Sequence, residues 1–491
     1  MAETERYPPG ERRLVLLAAC FAAFITPLLS TMMNLSLVSI GEEFSVGSHE
    51  LGYVNTAFLL SSVIFMLPLA RAADVYGKRR MFIAGLAVVA AACVLAMLSS
   101  SFWWLIACRV MMGAGSAALA STSISLITDV YPPENRGGAL GVQTMCVYVG
   151  MAAGPPLGGV LNDLVGWHAV FMLVLPLAVA SMVCMALFRH EITPNAGSSL
   201  DSLSILLYGL GIVLSMFGVI NMPELWSFAS LAAGIVFLVL FARRQLGIPN
   251  YLLNVRFFKS RVFTGSCLAT FLNYAATYAV SYFMALYLQS VGALTATEAG
   301  LLMLFQAGFQ AVLTPIFGRL SDRVRDKRLL PTAGMAITAV GVAMFLFYGT
   351  EMSLPLVLAT LMLVGIGSGV FSTPNTSVIM GSVPRRETSE ASAVVAVMRQ
   401  TGMMVSMGIA MMFISVVMGG SDNLVPENYG LFVDVIHMTF ALCLAMCLVG
   451  MASSVLRGKG TTVSERPSRP VHPSTSVYRT LLCRAYEINK G

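Results

Sequence analysis

Arg109 is a charged residue placed deep in an apolar run, in "RVMMGAGSAAL". A charge at the centre of a bilayer costs about 3 kcal/mol on insertion scales, so such a residue is a functional candidate unless helix carbonyls satisfy it. The other polar side chains in the long apolar runs are neutral or basic: Asn34, Gln143, Tyr148, Asn273, Gln306, Gln310, Asn375 and Arg399. Gln306 and Gln310 are one helical turn apart. The chemistry available is hydrogen bonding and capture of acceptors. No Asp or Glu falls in the middle of an apolar run; Asp434 and His437, near the outer end of the last one, are marginal. Carboxylates are the groups that hold a cation and titrate, so neutral amphiphiles or anions fit this inventory better than dications. No paired carboxylates, phosphate loop, metal-ligand cluster or nucleophile–His arrangement appears in or near these runs, which argues against an enzyme. The nine cysteines are scattered, and the Cys443–Cys447 pair has no histidine pattern around it; they read as small apolar residues.

The elements that position these groups follow from composition. The chain of 491 residues is 57% hydrophobic and 11% charged, whereas soluble domains carry about 25% charged residues. It is an all-α polytopic membrane protein. Fourteen apolar segments of spanning length run from 14–40 to 431–456, the second, 51–73, being the least clean. Lys and Arg collect in alternate loops, among them Arg71, Lys78, Arg79, Arg80, Arg136, Arg189, Arg243 and Arg244. The opposite loops hold Glu42, Glu43, Glu50, Asp163, Glu224, Glu298, Glu351, Asp422 and Glu427 and no Lys or Arg. That sorting predicts both termini in the cytoplasm. The net charge of +6 is divided among short loops, which argues against nucleic-acid binding. The N-terminus, 1–13, lacks a cleavable signal pattern. The stretch 246–261 is basic and amphipathic and is expected on the inner membrane surface; 457–491 is polar and expected to be a disordered cytoplasmic tail.

Two loops repeat a pattern. "ARAADVYGKRRMF" and "GRLSDRVRDKRLL" each place an Asp, Asp74 or Asp322, at a helix end before a cationic cluster. Related halves of this kind are a common transporter design. They would be 14–190 and 262–456, with an inserted helix pair at 200–245. "GVQTMCVYVGMAAGPPLGG", residues 141–159, carries five glycines and two prolines in an apolar setting. Gly150, Gly154 and Gly158 share one helix face, so a neighbouring backbone can approach closely, and Pro155 and Pro156 loosen the helix at one level. This face suits helices that must slide or rock.

In its joint order of motifs the chain resembles the major facilitator superfamily, in its fourteen-helix drug:proton antiporter branch, over about residues 14–456. The first loop matches the pattern G-x-L-a-D-r-x-G-r-k-r at Asp74, Gly77, Lys78, Arg79 and Arg80, with Ala70 and Val75 departing from it. The second copy keeps Gly318, Leu320, Asp322 and Arg323. Arg109 and Gly113 match R-x-x-x-G-x-G-a-a. Gly141, Gly150, Gly154, Pro155, Gly158 and Gly159 match the antiporter pattern g-x8-G-x3-G-P-x2-G-G at every specified position. Thr31 with Asn34, and Arg399 with Gln400, fit the first and thirteenth helices.

The resemblance implies a major facilitator fold of 14 transmembrane helices, two six-helix halves plus the inserted pair. It implies an inner-side gate at the loop motifs, which Asp129 joins, and a midplane cavity lined by Arg109, Gly113, Arg399 and the neutral polar residues named above. It also implies export of small amphiphilic molecules by proton antiport across the plasma membrane, by a single chain without a cofactor, driven by a proton or substrate gradient. An uptake symporter or facilitator, and a non-transporting sensor, are the alternatives. Leu29 stands where relatives often carry an acidic residue, which weakens the expectation of proton coupling.

Overall fold

The structure, a computed structural model, describes residues 7–193, 200–222, 224–248, 251–324, 326–384, 388–419 and 425–457. Among them fifteen α-helices follow one another: α1 (Pro9–Leu35), α2 (Leu37–Phe44), α3 (Ser48–Tyr76), α4 (Lys78–Met97), α5 (Phe102–Val130), α6 (Pro133–Val165), α7 (Ala169–Leu187), α8 (Ser202–Ile220), α9 (Leu225–Gly247), α10 (Arg261–Leu286), α11 (Ala296–Arg323), α12 (Leu329–Ala343), α13 (Leu354–Gly381), α14 (Thr388–Met418) and α15 (Tyr429–Leu456). The first apolar segment is divided at Ser36, so α1 and α2 together make one crossing and the crossings number fourteen. Thirteen are long and apolar enough to cross a membrane by composition. The exception is α10. Thr270, Asn273 and Thr277 lower its hydropathy, and the two threonine hydroxyls return hydrogen bonds to the carbonyls of Ser266 and Asn273. A helix with that surface belongs against a polar interior.

Helices α1–α7 form one half and α10–α15 the other, each packed chiefly on itself. The same device recurs in both. On α5, Gly113 lets α3 approach and Gly115 lets α4 approach; on α13, Gly365 and Gly367 do the same for α11 and α12. A side chain at any of these positions would strike a neighbouring backbone. The inserted pair lies against the seam: Tyr208 of α8 donates to the Val63 carbonyl of α3 at 2.9 Å, and Met216 of α8 faces Gly408 of α14. The basic stretch after α9 is tied to the protein as well. The Gln245 side-chain oxygen Oε1 accepts from the Leu252 amide at 2.6 Å, and Phe257, in a 3-10 turn at Val255–Lys259, is buried against Phe263.

The halves meet at the end that carries the acidic loops. Between α6 and α11 the approach is backbone on backbone: Gly159 faces the Ala296 carbonyl and Gly300 faces the Pro155 carbonyl. Asp163 accepts from the Thr297 amide, in the first turn of α11, at 2.7 Å, where a helix N-terminus favours a carboxylate. Between α3 and α14, Met411 fills the space left by Gly52 and takes a hydrogen bond from Thr56 at 3.1 Å. Tyr282 of α10 donates to the Ser48 carbonyl at 2.7 Å. The expected tail beyond Arg457 lies outside the described residues, as do Arg325, Arg385, Arg386 and Asp422 and the side chain of Asp322.

Candidate functional site

Between the halves, behind this closed end, lies a cavity of about 190 Å³. Of the residues expected in its wall, Asn34, Gln143, Tyr148, Asn273, Gln306, Gln310 and Arg399 line it. Leu119, Ala120 and Ser123, on the half of α5 nearer the basic loops, extend the cavity toward that end. Hydrogen bonds between the halves cross it at mid-depth: Ser30 to Tyr278 at 2.7 Å, Tyr148 to Ser372 at 2.9 Å, and Gln400 to Ser62 at 3.0 Å. Asn34 accepts from Asn55 at 2.7 Å. Tyr278 and Ser30 were not singled out in the sequence, because isolated hydroxyls in apolar runs give no signal until the two halves face each other.

Three residues expected in the wall lie behind it. Arg109 is fully buried; its Nε donates to the Val54 carbonyl at 2.9 Å and its guanidinium covers the Phe58 ring at 4.6 Å from the centroid. Its Nη1 and Nη2 have no hydrogen-bond partner. Gly113, one turn on, faces α3 for the same reason of helical phase: this face of α5 points into the half, while Leu119 and Ser123 point to the centre. Asn375 is turned away by α10 and by Arg457. It donates to the Ser266 carbonyl at 3.0 Å and to Thr270 at 2.9 Å, and accepts from Arg457 at 2.6 Å. Arg457, at the end of α15, also donates to Ser266 at 2.7 Å; burial draws its guanidinium down to about 10 from 12.5. It was assigned to the start of a polar tail, and it is instead a buried tie between three helices.

The glycine helix is placed as its spacing implies, with one division of labour that spacing does not show. Gly150, Gly154 and Gly158 face α1 of their own half, at Phe24, Thr31 and Met32. Gly159 and Pro155 face α11 of the other half. Pro155 also lines the cavity, so one helix touches the cavity, its own half and the opposite half. Gly141 has open space around it. α6 runs unbroken through both prolines.

The gate residues pair within the first half. Lys78 is buried and reaches Asp129 at 2.6 Å and Asp74 at 3.6 Å, both in its own half. The pairing stays within one half, whereas the contacts between the halves described above lie at the acidic end. Gly77, at φ +116, allows the turn between α3 and α4. Arg79 donates to the Met185 and Ala186 carbonyls at the end of α7, and Glu191 accepts from the Arg79 amide at 2.9 Å and pairs with Arg80 at 3.7 Å. Glu191 was missed, since it stands alone in a loop distant in sequence. In the second copy, Gly318 lets Thr373 approach and Arg323 is exposed.

The sequence profile of the Major Facilitator Superfamily matches residues 19–255 and 266–486. The chain belongs to that superfamily. It is 23% identical to the riboflavin transporter RibZ of Clostridioides difficile (strain 630), over 91% of this chain and 97% of that one. It is 26% identical to the multidrug resistance protein Stp of Mycobacterium tuberculosis (strain CDC 1551 / Oshkosh), over 79% and 73%. Its fold is shared with a bacterial homolog of the human lysosomal transporter Spinster, in an inward-facing and unoccupied conformation. The TM-score is 0.66 at 18% identity, over 92% of this chain and 98% of the other. As a major facilitator it is a transporter with a small-molecule substrate, and not an enzyme.

Proposed function

We propose that the protein exports small amphiphilic molecules by proton antiport, α1–α7 rocking against α10–α15 so that the central cavity opens to each side in turn. The observation that carries this reading is the position of α6: its glycine face lies on α1, and Gly159 and Pro155 bear on α11, beside the cavity. The basic loops and both termini then lie in the cytoplasm, with the protein in the plasma membrane. One chain is the transporting unit, and the gradient is the only energy source, with no cofactor. Substrate would enter from the cytoplasmic side in the conformation described here.

A facilitator or uptake symporter is favoured by one feature: among the described residues, the cavity wall contains no Asp or Glu to carry a proton. Reconstitution into proteoliposomes with an imposed pH gradient separates the two. Antiport requires efflux that accelerates when protons can flow inward and stops when the gradient is collapsed. Efflux that ignores the gradient overturns antiport.

A further inference from the structure

We infer that the cavity is built for an organic anion, its charged group held by Arg399 and Asn273 and its apolar body by the aromatic wall. The inference rests on the reading that this cavity takes the transported molecule. Most polar groups of the wall are already occupied, by the Ser30–Tyr278, Tyr148–Ser372, Gln400–Ser62 and Asn34–Asn55 pairs. Among the buried polar atoms of the described wall residues, the one left unpartnered is a donor. Asn273 is 2% exposed and its Nδ2 has no partner. A buried donor left unmade is costly, so a bound acceptor gains from it. Arg399, a half-buried residue of α14, lines the cavity. Gln143, Gln306 and Gln310 offer donors and acceptors alike.

The local charge has the same sign. Arg109 adds a second guanidinium directly behind the cavity-lining Phe58 ring, with Nη1 and Nη2 unpartnered. Among the described residues no Asp or Glu lines the cavity to offset either charge. In a low-dielectric interior an uncompensated positive field repels cations and attracts anions strongly. A guanidinium is also the donor best matched to carboxylate or sulfonate oxygens. The remaining wall, with Phe58, Tyr148, Tyr274, Met303 and Met403, suits a flat apolar body. A hydrated inorganic anion would leave that surface uncovered.

The test is equilibrium binding to the full-length protein in nanodiscs near neutral pH, with empty nanodiscs subtracted. Three probes share one body: naphthalene-2-sulfonate, naphthalene-2-sulfonamide and 2-naphthyltrimethylammonium. The sulfonate is expected to bind about tenfold or more tighter than the ammonium. Arg399→Gln should weaken the sulfonate about tenfold while leaving the neutral sulfonamide within about twofold, and Arg399→Glu should reverse the charge preference. Asn273→Ala should weaken the sulfonate by a smaller factor. The inference is overturned if the ammonium binds as well as the sulfonate, if Arg399→Gln weakens all three probes equally, or if none binds. Because no gradient is applied, the result is independent of coupling. Anion binding with gradient-indifferent efflux removes antiport and keeps this inference; proton-coupled export of a cation does the reverse.

Discussion

The two halves bring corresponding helices together at the same level and then diverge. A Cβ on Gly150 of α6 would lie 2.5 Å from the Phe24 carbonyl of α1, and a Cβ on Gly402 of α14 would lie 2.5 Å from the Phe271 carbonyl of α10. Four residues further on, the first half has Gly154 pressed against Thr31, while the second has Ser406, whose hydroxyl accepts from the Ala279 amide at 3.0 Å. At the contact with the opposite half, the first offers Gly159 and the second Met411. One half therefore seals by bare backbone and the other by a side chain seated in a notch at Gly52. A smooth seam slides with little change in contact, whereas a knob must leave its hole before the acidic end can open. If the halves rock as proposed, α6–α11 is the pivot and α3–α14 the latch.

The comparison is broken most severely at Gly154. Gly154→Leu forces a side chain into the Thr31 hydroxyl, an overpacking worth about 1–3 kcal/mol or more; transport should be abolished and the thermal midpoint lowered. Ser406→Ala on the other half removes a hydrogen bond of about 1 kcal/mol and should leave transport measurable. Gly154→Ala should be partly rescued by Thr31→Ala, and equal loss with and without Thr31→Ala would mean that this contact is not the cause.

Met411→Ala empties the latch at a cost of about 2–3 kcal/mol. It should shift the population toward opening at the acidic end, read as faster alkylation of a cysteine placed at Thr56. Unchanged reactivity would remove the latch assignment. Asp163→Asn acts on the seam. The carboxylate at the α11 N-terminus contributes about 1 kcal/mol at an exposed position, so a cysteine at Thr297 should gain reactivity by a smaller factor than Thr56 does in Met411→Ala. The reverse ranking would exchange pivot and latch.

The smallest effect lies outside both pairings. Asp201, just before α8, is held down to about 2 from 3.8, chiefly by its hydrogen bond to Arg244. A lowered carboxylate pKa adds stability that is complete above the ordinary value and lost as pH falls through the folded one. Asp201→Asn should thus lower the thermal midpoint slightly at neutral pH, and the difference from the parent should vanish between pH of about 4 and about 2. A difference that persists at acid pH would mean the pair does not act through ionisation.

Legibility differed with the physical origin of each feature. Crossings and loop sorting were readable because a bilayer imposes length and apolarity on each helix separately, and α10 departs from the rule only where it turns polar groups inward. The glycine spacing showed a close-packed face but not its partner, since Gly159 lies about two and a half turns beyond Gly150 and so faces α11 while Gly150 faces α1. Arg109, Gly113 and Asn375 were expected in the cavity because they are polar or part of a motif, yet helical phase and Arg457 turned them away. Glu191 and the Ser30–Tyr278 pair gave no signal, because each is a single ordinary residue whose partner is distant in the chain.

By itself the sequence determined that this chain crosses a membrane many times, that one set of loops is basic and the other acidic, and that α6 must pack without side chains on one face. Those are properties of local composition and spacing. Which end is closed, which polar groups face the cavity, and which donors are left without partners were decided by tertiary structure alone. They depend on the relative rotation and contact of helices that are hundreds of residues apart.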